Sequence, residues 1–174
     1  TGNWDAASTT NWAASSGGAS GASVPTSADN VIFDTLSNAT AYTVTITATA
    51  NCANLTFGAP AVGDVTWAGS SALNVYGNFT LYATMTRSFT GALTFAATAT
   101  GKTVTFAGKT MASNTTFNGV GGGWTLQDTW NNGTSTVTLT NGALDTNGVT
   151  VTSGTVDYSN SNTRTLTLGA TTWN

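Results

Sequence analysis

A three-residue unit in which a threonine stands between two apolar residues recurs along most of this chain. Its copies lie at 44–46, 55–57, 65–67, 79–81, 93–95, 104–106, 124–126, 137–139, 149–151 and 166–168. In a β-strand, alternate side chains point to opposite faces, so each unit would bury two apolar side chains and expose the threonine. The units start about 7–13 residues apart, a spacing typical of many short strands. No segment has an apolar period of 3.6 residues, and we predict an all-β fold.

Asparagine-glycine pairs mark the turns between these units, at 118–119, 132–133, 141–142 and 147–148. Such a pair is the strongest short signal for a hairpin, which would give an antiparallel meander or β-sandwich. It can equally form a corner of a parallel β-helix. Three-residue strands are short for a sandwich, whose strands usually have about five or six residues. The units also continue from 44 to 168, as stacked turns would. We therefore favour a parallel β-helix (solenoid) of Thr-rich strands, and the antiparallel fold is the alternative.

The first 34 residues differ from the rest, with Trp4, Trp12, a Ser/Gly/Ala-rich stretch and Pro25 before a short strand at 31–33. A solenoid needs its end covered, because exposed core and strand edges aggregate. We predict that the two tryptophans plug this end; the alternative is that they stack on a sugar ring. The predicted organisation is a cap with the first strand (1–34) and a solenoid body (35–174), one domain that we expect to be a segment of a longer chain.

Composition excludes several classes of protein. Only 6% of the residues are charged, the seven acidic residues are all Asp, and His is absent. Four basic residues cannot neutralise many phosphates, so we expect no nucleic-acid partner. No apolar run reaches about 18 residues, so no membrane span is predicted. Forty per cent hydrophobic residues, with six Trp and seven Phe, indicate a packed core. Cys52 is the only cysteine and is predicted to be a small buried apolar residue.

Several longer segments carry a resemblance to a known class of proteins. These are "VPTSADNVIFD", "GKTVTF", "FNGVGGGWTLQD", "LTNGALDTNGVTV" and "SNSNTRTLTLG", together with the opening Trp-x7-Trp. They resemble β-solenoid segments of bacteriophage and environmental virus-like structural proteins and, more distantly, autotransporter-type bacterial surface proteins. The resemblance implies a structural or adhesive role at a cell surface, on a virion or outside the cell. It brings no catalytic residues.

Catalytic chemistry has few candidate residues in this sequence. Without His, the Ser-His-Asp and Cys-His arrangements are excluded. A pair of carboxylates could still serve a glycosidase, and Asp128, Asp145 and Asp157 could stack on neighbouring turns. Asp145 and Asp157 fall at turn or outward strand positions, where a solvated Asp is ordinary. We therefore predict no enzyme, no catalytic residue, no metal and no cofactor.

Two binding roles remain as alternatives. Trp130, in "QDTWNNGT", is surrounded by turn residues, and we expect an exposed ring that could stack on a glycan. Thr at every second residue in 43–47, 136–140 and 165–167 forms ladders that could bind ice. Ice binding needs one flat face with matching turns, and we expect bulky Tyr82, Phe89 and Trp130 to interrupt it.

The preferred function is a non-enzymatic structural or adhesive module of an extracellular filament, phage fibre or cell-surface protein. We expect it to assemble with copies of itself and to contact surface glycans. A glycan-binding module is the alternative, followed by a polysaccharide-degrading β-helix or an ice-binding protein. Glycosylation sequons provide candidate modification sites at Asn38, Asn54, Asn78, Asn114 and Asn132.

Overall fold

The structure, a computed structural model, describes residues 2–38, 40–58 and 64–174. Within these ranges the chain forms β-strands, turns and loops, and none of the described residues is helical. The strands wind into a solenoid of about six turns. All pairings between strands are parallel, so the parallel β-helix is confirmed and the antiparallel sandwich is wrong. No helix that could cross a membrane occurs in the described ranges.

Each turn passes through three faces in the same order. The first face holds β1 (Gly2–Trp4), β3 (Tyr42–Ile46), β6 (Val65–Gly69), β9 (Thr86–Arg87), β13 (Trp130–Asn131) and β15 (Val151–Thr152). The second face holds β4 (Ala50–Cys52), β7 (Leu73–Val75), β10 (Leu93–Phe95), the start of β12 (Thr115–Leu126), the start of β14 (Thr136–Asp145) and β16 (Thr155–Asp157). The third face holds β2 (Val31–Phe33), β5 (Leu55–Phe57), β8 (Phe79–Thr80), β11 (Lys102–Thr105), the ends of β12 and β14, and β17 (Arg164–Thr167).

The register repeats from turn to turn and explains why short strands suffice. On the third face Leu55 pairs with Phe79, Phe79 with Val104, and Val104 with Leu126. All four side chains are fully buried. Thr66 pairs with Thr86, 20 positions later, whereas Phe79 pairs with Val104, 25 positions later, so the turn length varies along the chain. Two inward side chains per strand are enough because the next turn completes the burial.

Aromatic rings from neighbouring turns stack along the core. Phe33 and Phe57 occupy paired positions with ring centroids 4.8 Å apart, and Phe95 lies 4.9 Å from Phe117. Trp67 and Phe89 stack at 4.3 Å. Offset or edge contacts between rings at such distances add to the apolar area that each ring buries. The core is therefore a continuous column rather than a set of separate clusters.

The N-terminal end of this column is covered by Trp4 and Trp12, as predicted. Trp4 is buried, and the half-buried Trp12 lies edge-on to it at 5.1 Å and near Phe33 at 6.1 Å. The division at residue 34 stays a prediction. On its N-terminal side, β1 pairs with β3 and β2 pairs with β5, so both strands continue faces of the solenoid.

The corners between faces contain the Asn-Gly pairs. Asn147 and Gly148 both have positive φ, 53° and 71°, the combination that a tight two-residue hairpin also uses. Here the pair connects β14 to β15 within the coil and turns the chain from the third face to the first. In β12 the register with β14 shifts between Asn118 and Gly123, and of the residues between them Val120 and Gly121 are exposed. The same dipeptide thus serves a corner of a parallel coil.

Candidate functional site

A concave region lies at the N-terminal end of the solenoid. A cleft of about 890 Å³ opens between residues 10–25 and the strands β1, β2 and β3. The half-buried rings of Trp12 and Tyr42 lie along it, and Asn3, Asn11 and Asp29 supply polar groups. A cleft with aromatic walls and a few polar groups is the usual form of a small-molecule site.

Aspartate side chains fold the segment that forms this cleft. The Asp5 Oδ1 accepts the backbone N–H of Ala7 at 2.9 Å and of Ser8 at 2.5 Å. The Asp29 Oδ2 accepts the N–H and the hydroxyl of Thr26, at 2.9 and 2.7 Å. These bonds stabilise the carboxylate form and lower the pKa of both groups. The segment therefore depends on local turns rather than on a sheet.

A carboxylate also ties the N-terminal segment to the first turn. The hydroxyl of Ser16 donates to the Asp34 Oδ2 at 2.6 Å, and the N–H of Leu36 donates to the Asp34 Oδ1 at 2.9 Å. Hydrogen bonds from Ser16 first, and then from Leu36, lower the pKa of Asp34.

The titratable groups along the cleft suit binding better than proton transfer. Asp29 has a lowered pKa, while burial raises the pKa of Tyr42 above its ordinary value of 10.0. General acid-base catalysis works best with a pKa near the working pH, and both groups are shifted away from neutrality. The arrangement can stack on a flat apolar face of a ligand and exchange hydrogen bonds with hydroxyl groups.

The three aspartates considered for catalysis lie apart and hold corners of the coil. The Asp128 Oδ1 accepts the N–H of Phe106 at 2.8 Å. Asp145 ends β14 on the third face between Thr125 and Thr167, and its Oδ1 caps the turn at Asn147. Asp157 ends β16 on the second face, and its Oδ1 accepts the N–H and the hydroxyl of Ser159. The solenoid does not stack these carboxylates on one another.

Trp130 is not exposed, and this expectation was wrong. Its ring is fully buried and stacks on Phe106 at 5.0 Å with an angle of 12° between the planes. It also meets Phe117 edge-on at 5.9 Å. The turn residues around Trp130 form a corner on each side of a two-residue strand, so the ring points inward and offers no surface to a glycan.

The five sequons have unequal exposure. Asn78 and Asn114 are exposed, whereas Asn38 and Asn54 are half-buried. Asn132 is fully buried, and its Nδ2 donates to the carbonyls of Ser135 and Thr136, so it is not a glycan acceptor in the folded protein. Modification of the other four stays a prediction; Ala39 of the Asn38 sequon lies outside the described residues.

A ladder of asparagines on the third face was missed by the sequence analysis. The Asn54 Nδ2 donates to the Asn30 Oδ1 at 2.5 Å, and the Asn54 Oδ1 accepts the N–H of Asn78 at 2.6 Å. The Asn78 Oδ1 accepts the N–H of Thr103 at 2.9 Å. Each of these asparagines stands directly before an apolar unit in the sequence, and this repeat was the available signal. Without the length of a turn, the sequence did not show which asparagines are neighbours.

Two of the three bulky residues expected to interrupt the threonine ladders are buried and do not reach the outer surface. Phe89 and Trp130 are fully buried, and Tyr82 is half-buried with its hydroxyl oxygen accepting the N–H of Val65 at 3.0 Å. The expectation was wrong for Phe89 and Trp130, which local sequence assigned to the outer surface, and for Tyr82 it stays a prediction. Among the described residues no group of three or more Cys, His, Asp or Glu side chains is placed to hold a metal.

Comparison of the chain with protein-family models, with curated proteins and with solved structures found no match. The resemblance to phage and surface-protein solenoids therefore stays a prediction. Arguments about function depend on the geometry of the chain itself.

Proposed function

We propose that this chain is a non-enzymatic structural or adhesive module, a rigid solenoid segment of an extracellular filament, phage fibre or cell-surface protein that assembles with copies of itself. The observation that carries the proposal is the unbroken core. Inward residues of neighbouring turns pair in register, and stacked rings such as Phe95 and Phe117 connect one turn to the next. Bending or stretching such a rod would separate close-packed rings and strand ladders together.

The polar side chains support a structural role in the same way. Asp128 bonds backbone groups of the preceding turn, and the Arg87 guanidinium donates to the carbonyl of Thr110 and the hydroxyl of Ser113. These groups join successive turns to each other. Side chains that bond the backbone of their own fold contribute to its stability rather than to a reacting centre.

The outer surface favours association with further copies. Only 6% of the residues are charged, and the net charge is −3. A low charge removes much of the repulsion that keeps proteins apart. Outward threonines such as Thr66, Thr80 and Thr116 are small and uncharged, so a second copy can approach them closely.

Electron microscopy of the purified protein over a range of concentrations tests self-assembly. Rods or filaments are expected at high concentration, and dispersed monomers at every concentration would contradict the proposal. Three variants, Thr66→Lys, Thr116→Lys and Thr80→Lys, place one charge at the centre of the first, second and third face respectively. Lateral assembly through one face predicts that one variant fails while the other two assemble, and end-to-end assembly predicts that all three assemble.

Glycan binding is the second candidate function, and the N-terminal cleft is the observation that favours it. We propose Trp12, not Trp130, as its stacking residue, because Trp12 is half-buried and lines the cleft. On a glycan array, Trp12→Ala should lose the signal that the wild-type protein shows. Tyr158→Ala is the control, because this exposed ring lies elsewhere. No signal from the folded wild-type protein would exclude glycan binding.

A further inference from the structure

The third face carries two parallel columns of small, uncharged polar side chains. One column is Thr56, Thr80 and Thr105, which pair in register. The other column stands two residues earlier in the chain and is formed by Asn54 and Asn78, just before their strands, and by Thr103 and Thr125. The residues between the columns, such as Phe79 and Val104, are fully buried, so both columns point outward.

The spacing of this array is set by the sheet. Neighbouring parallel strands lie about 4.8 Å apart, and residues two apart in a strand are separated by about 6.6 Å. The distance between strands is close to the shorter repeat of oxygen atoms on the prism face of hexagonal ice, and the distance along a strand is somewhat less than the longer repeat. An array with both repeats can order water molecules in positions that an ice crystal shares.

The side chains of the array are also held in place. Threonine is stiff at χ1 because it is branched at Cβ. The amides of Asn54 and Asn78 are fixed by their bonds to the backbone of the next turn, at 2.6 and 2.9 Å. Little side-chain entropy is then lost when a rigid surface binds to them.

The other two faces lack a matching second column. On the second face Thr94, Thr116 and Thr138 pair in register, but the positions two residues earlier change from Ala92 to Asn114 and Thr136. On the first face Thr43, Thr66 and Thr86 pair, whereas Ala68 stands beside Thr45 in the neighbouring column.

The third-face columns also have limits. In the first column Thr56 pairs with the exposed Ile32 of the preceding turn. In the second column Thr125 pairs with Asp145 of the next turn. Between these limits the third face has the most regular array of the three faces.

We propose that the third face binds the surface of ice crystals through the columns Thr56–Thr80–Thr105 and Asn54–Asn78–Thr103–Thr125. This activity is separate from self-assembly and does not depend on it. The half-buried Lys102 borders the array, at the start of β11.

Partition of the protein into a slowly growing ice hemisphere tests the proposal. The wild-type protein should be enriched in the ice fraction relative to a non-binding protein of similar size. Thr80→Tyr should reduce this enrichment several-fold, because the ring stands above the centre of the array. Thr116→Tyr is the matched control: it also replaces the middle threonine of a column of three, on the second face, and should keep the wild-type enrichment.

Circular dichroism and thermal melting establish that the variants are folded, and Thr105→Tyr repeats the test at a second position of the array. Exclusion of the wild-type protein from ice would overturn the proposal. Equal loss in the Thr80 and Thr116 variants, or full enrichment of folded Thr80→Tyr and Thr105→Tyr, would overturn it as well.

Discussion

Buried Phe and Trp residues carry much of the stability of this protein, because many of their rings contact a ring of a neighbouring turn. Trp130 stacks on Phe106 and meets Phe117, which lies in the same part of the core. The indole N–H of Trp130 has no hydrogen-bond partner in the structure. Its contribution therefore comes from packing and apolar burial.

We expect Trp130→Ala to lower the free energy of unfolding by about 3–5 kcal/mol, the usual cost of removing a large buried ring. Urea denaturation followed by circular dichroism measures it. Tyr158→Ala is the control, because Tyr158 is 57% exposed, and its change should stay within about 0.5 kcal/mol. Equal effects of the two substitutions would contradict the placement of Trp130 in the core.

Cys52 makes the stability depend on alkaline pH. The thiol is buried, as predicted, and desolvation raises its pKa to about 12. In the unfolded chain a thiol ionises near pH 8.5, so above that pH the unfolded state gains stability from ionisation that the folded state does not. The contribution is complete below about pH 8.5 and is lost as the pH rises toward about 12.

Denaturation curves between about pH 8.5 and about pH 10 should show that the free energy of unfolding falls, because of Cys52, by an amount approaching about 1.4 kcal/mol per pH unit. In Cys52→Ala this part of the dependence should disappear. The pKa values of Tyr42 and Tyr82 are also raised, mainly by burial. The wild-type protein and Cys52→Ala therefore both lose further stability above about pH 10. The same slope in both proteins below that pH would show that Cys52 is not the cause.

Each turn is made of strands and corners. At some corners the backbones of two neighbouring turns approach so closely that only glycine fits. A Cβ on Gly91 would overlap the carbonyl oxygen of Ser71 in the preceding turn. A Cβ on Gly58 would meet the Phe33 carbonyl oxygen at 3.6 Å, an ordinary contact. These two glycines therefore differ in the space available rather than in chain flexibility.

Gly91→Ala should lower the free energy of unfolding by about 1–3 kcal/mol, because the backbones of two turns must move apart. Gly58→Ala is the matched control and should change stability by no more than about 0.5 kcal/mol. Thermal and urea denaturation of both variants measure the difference. If Gly91→Ala proves as stable as Gly58→Ala, the turns are not as closely spaced as described.

Prediction from sequence succeeded where a local pattern determines the element. The apolar-Thr-apolar units identified strands such as Leu55–Phe57 and Leu93–Phe95, with their inward and outward sides. It failed for Trp130, because two corners enclose a two-residue strand there, and local turn signals hid the burial. The third-face array could not be predicted, since Thr80 and Thr105 become neighbours only when the turn length is known.

At the scale of the whole molecule, the solenoid is stabilised by packing and backbone ladders far more than by charge. Six per cent of its residues are charged, and the aspartates 5, 29, 34, 128, 145 and 157 accept bonds from nearby N–H or hydroxyl groups. Such bonds do not depend on a distant counter-charge. Screening by salt should therefore have little effect on the fold.

The melting temperature should change by less than about 4 °C, equivalent to about 1 kcal/mol for a chain of this size, between about 0.1 M and about 1 M NaCl. Differential scanning calorimetry at both concentrations measures it. A large decrease on adding salt would show that ion pairs contribute more than the hydrogen bonds named above.

The corner between the second and third faces differs in length from turn to turn, while the strands on both sides keep their register. Val120, at the tip of the β12 corner, is 75% exposed, whereas Phe117 and Trp124 on either side stay in the core. The exposed tip at Val120 can therefore change without altering the core, whereas a Cβ on Gly119 or Gly122 beside it would overlap the carbonyl oxygen of Ala97 in the preceding turn. Evolution can therefore substitute or insert residues at the exposed tip of this corner. Such changes would create or remove a binding surface while the solenoid core stays the same.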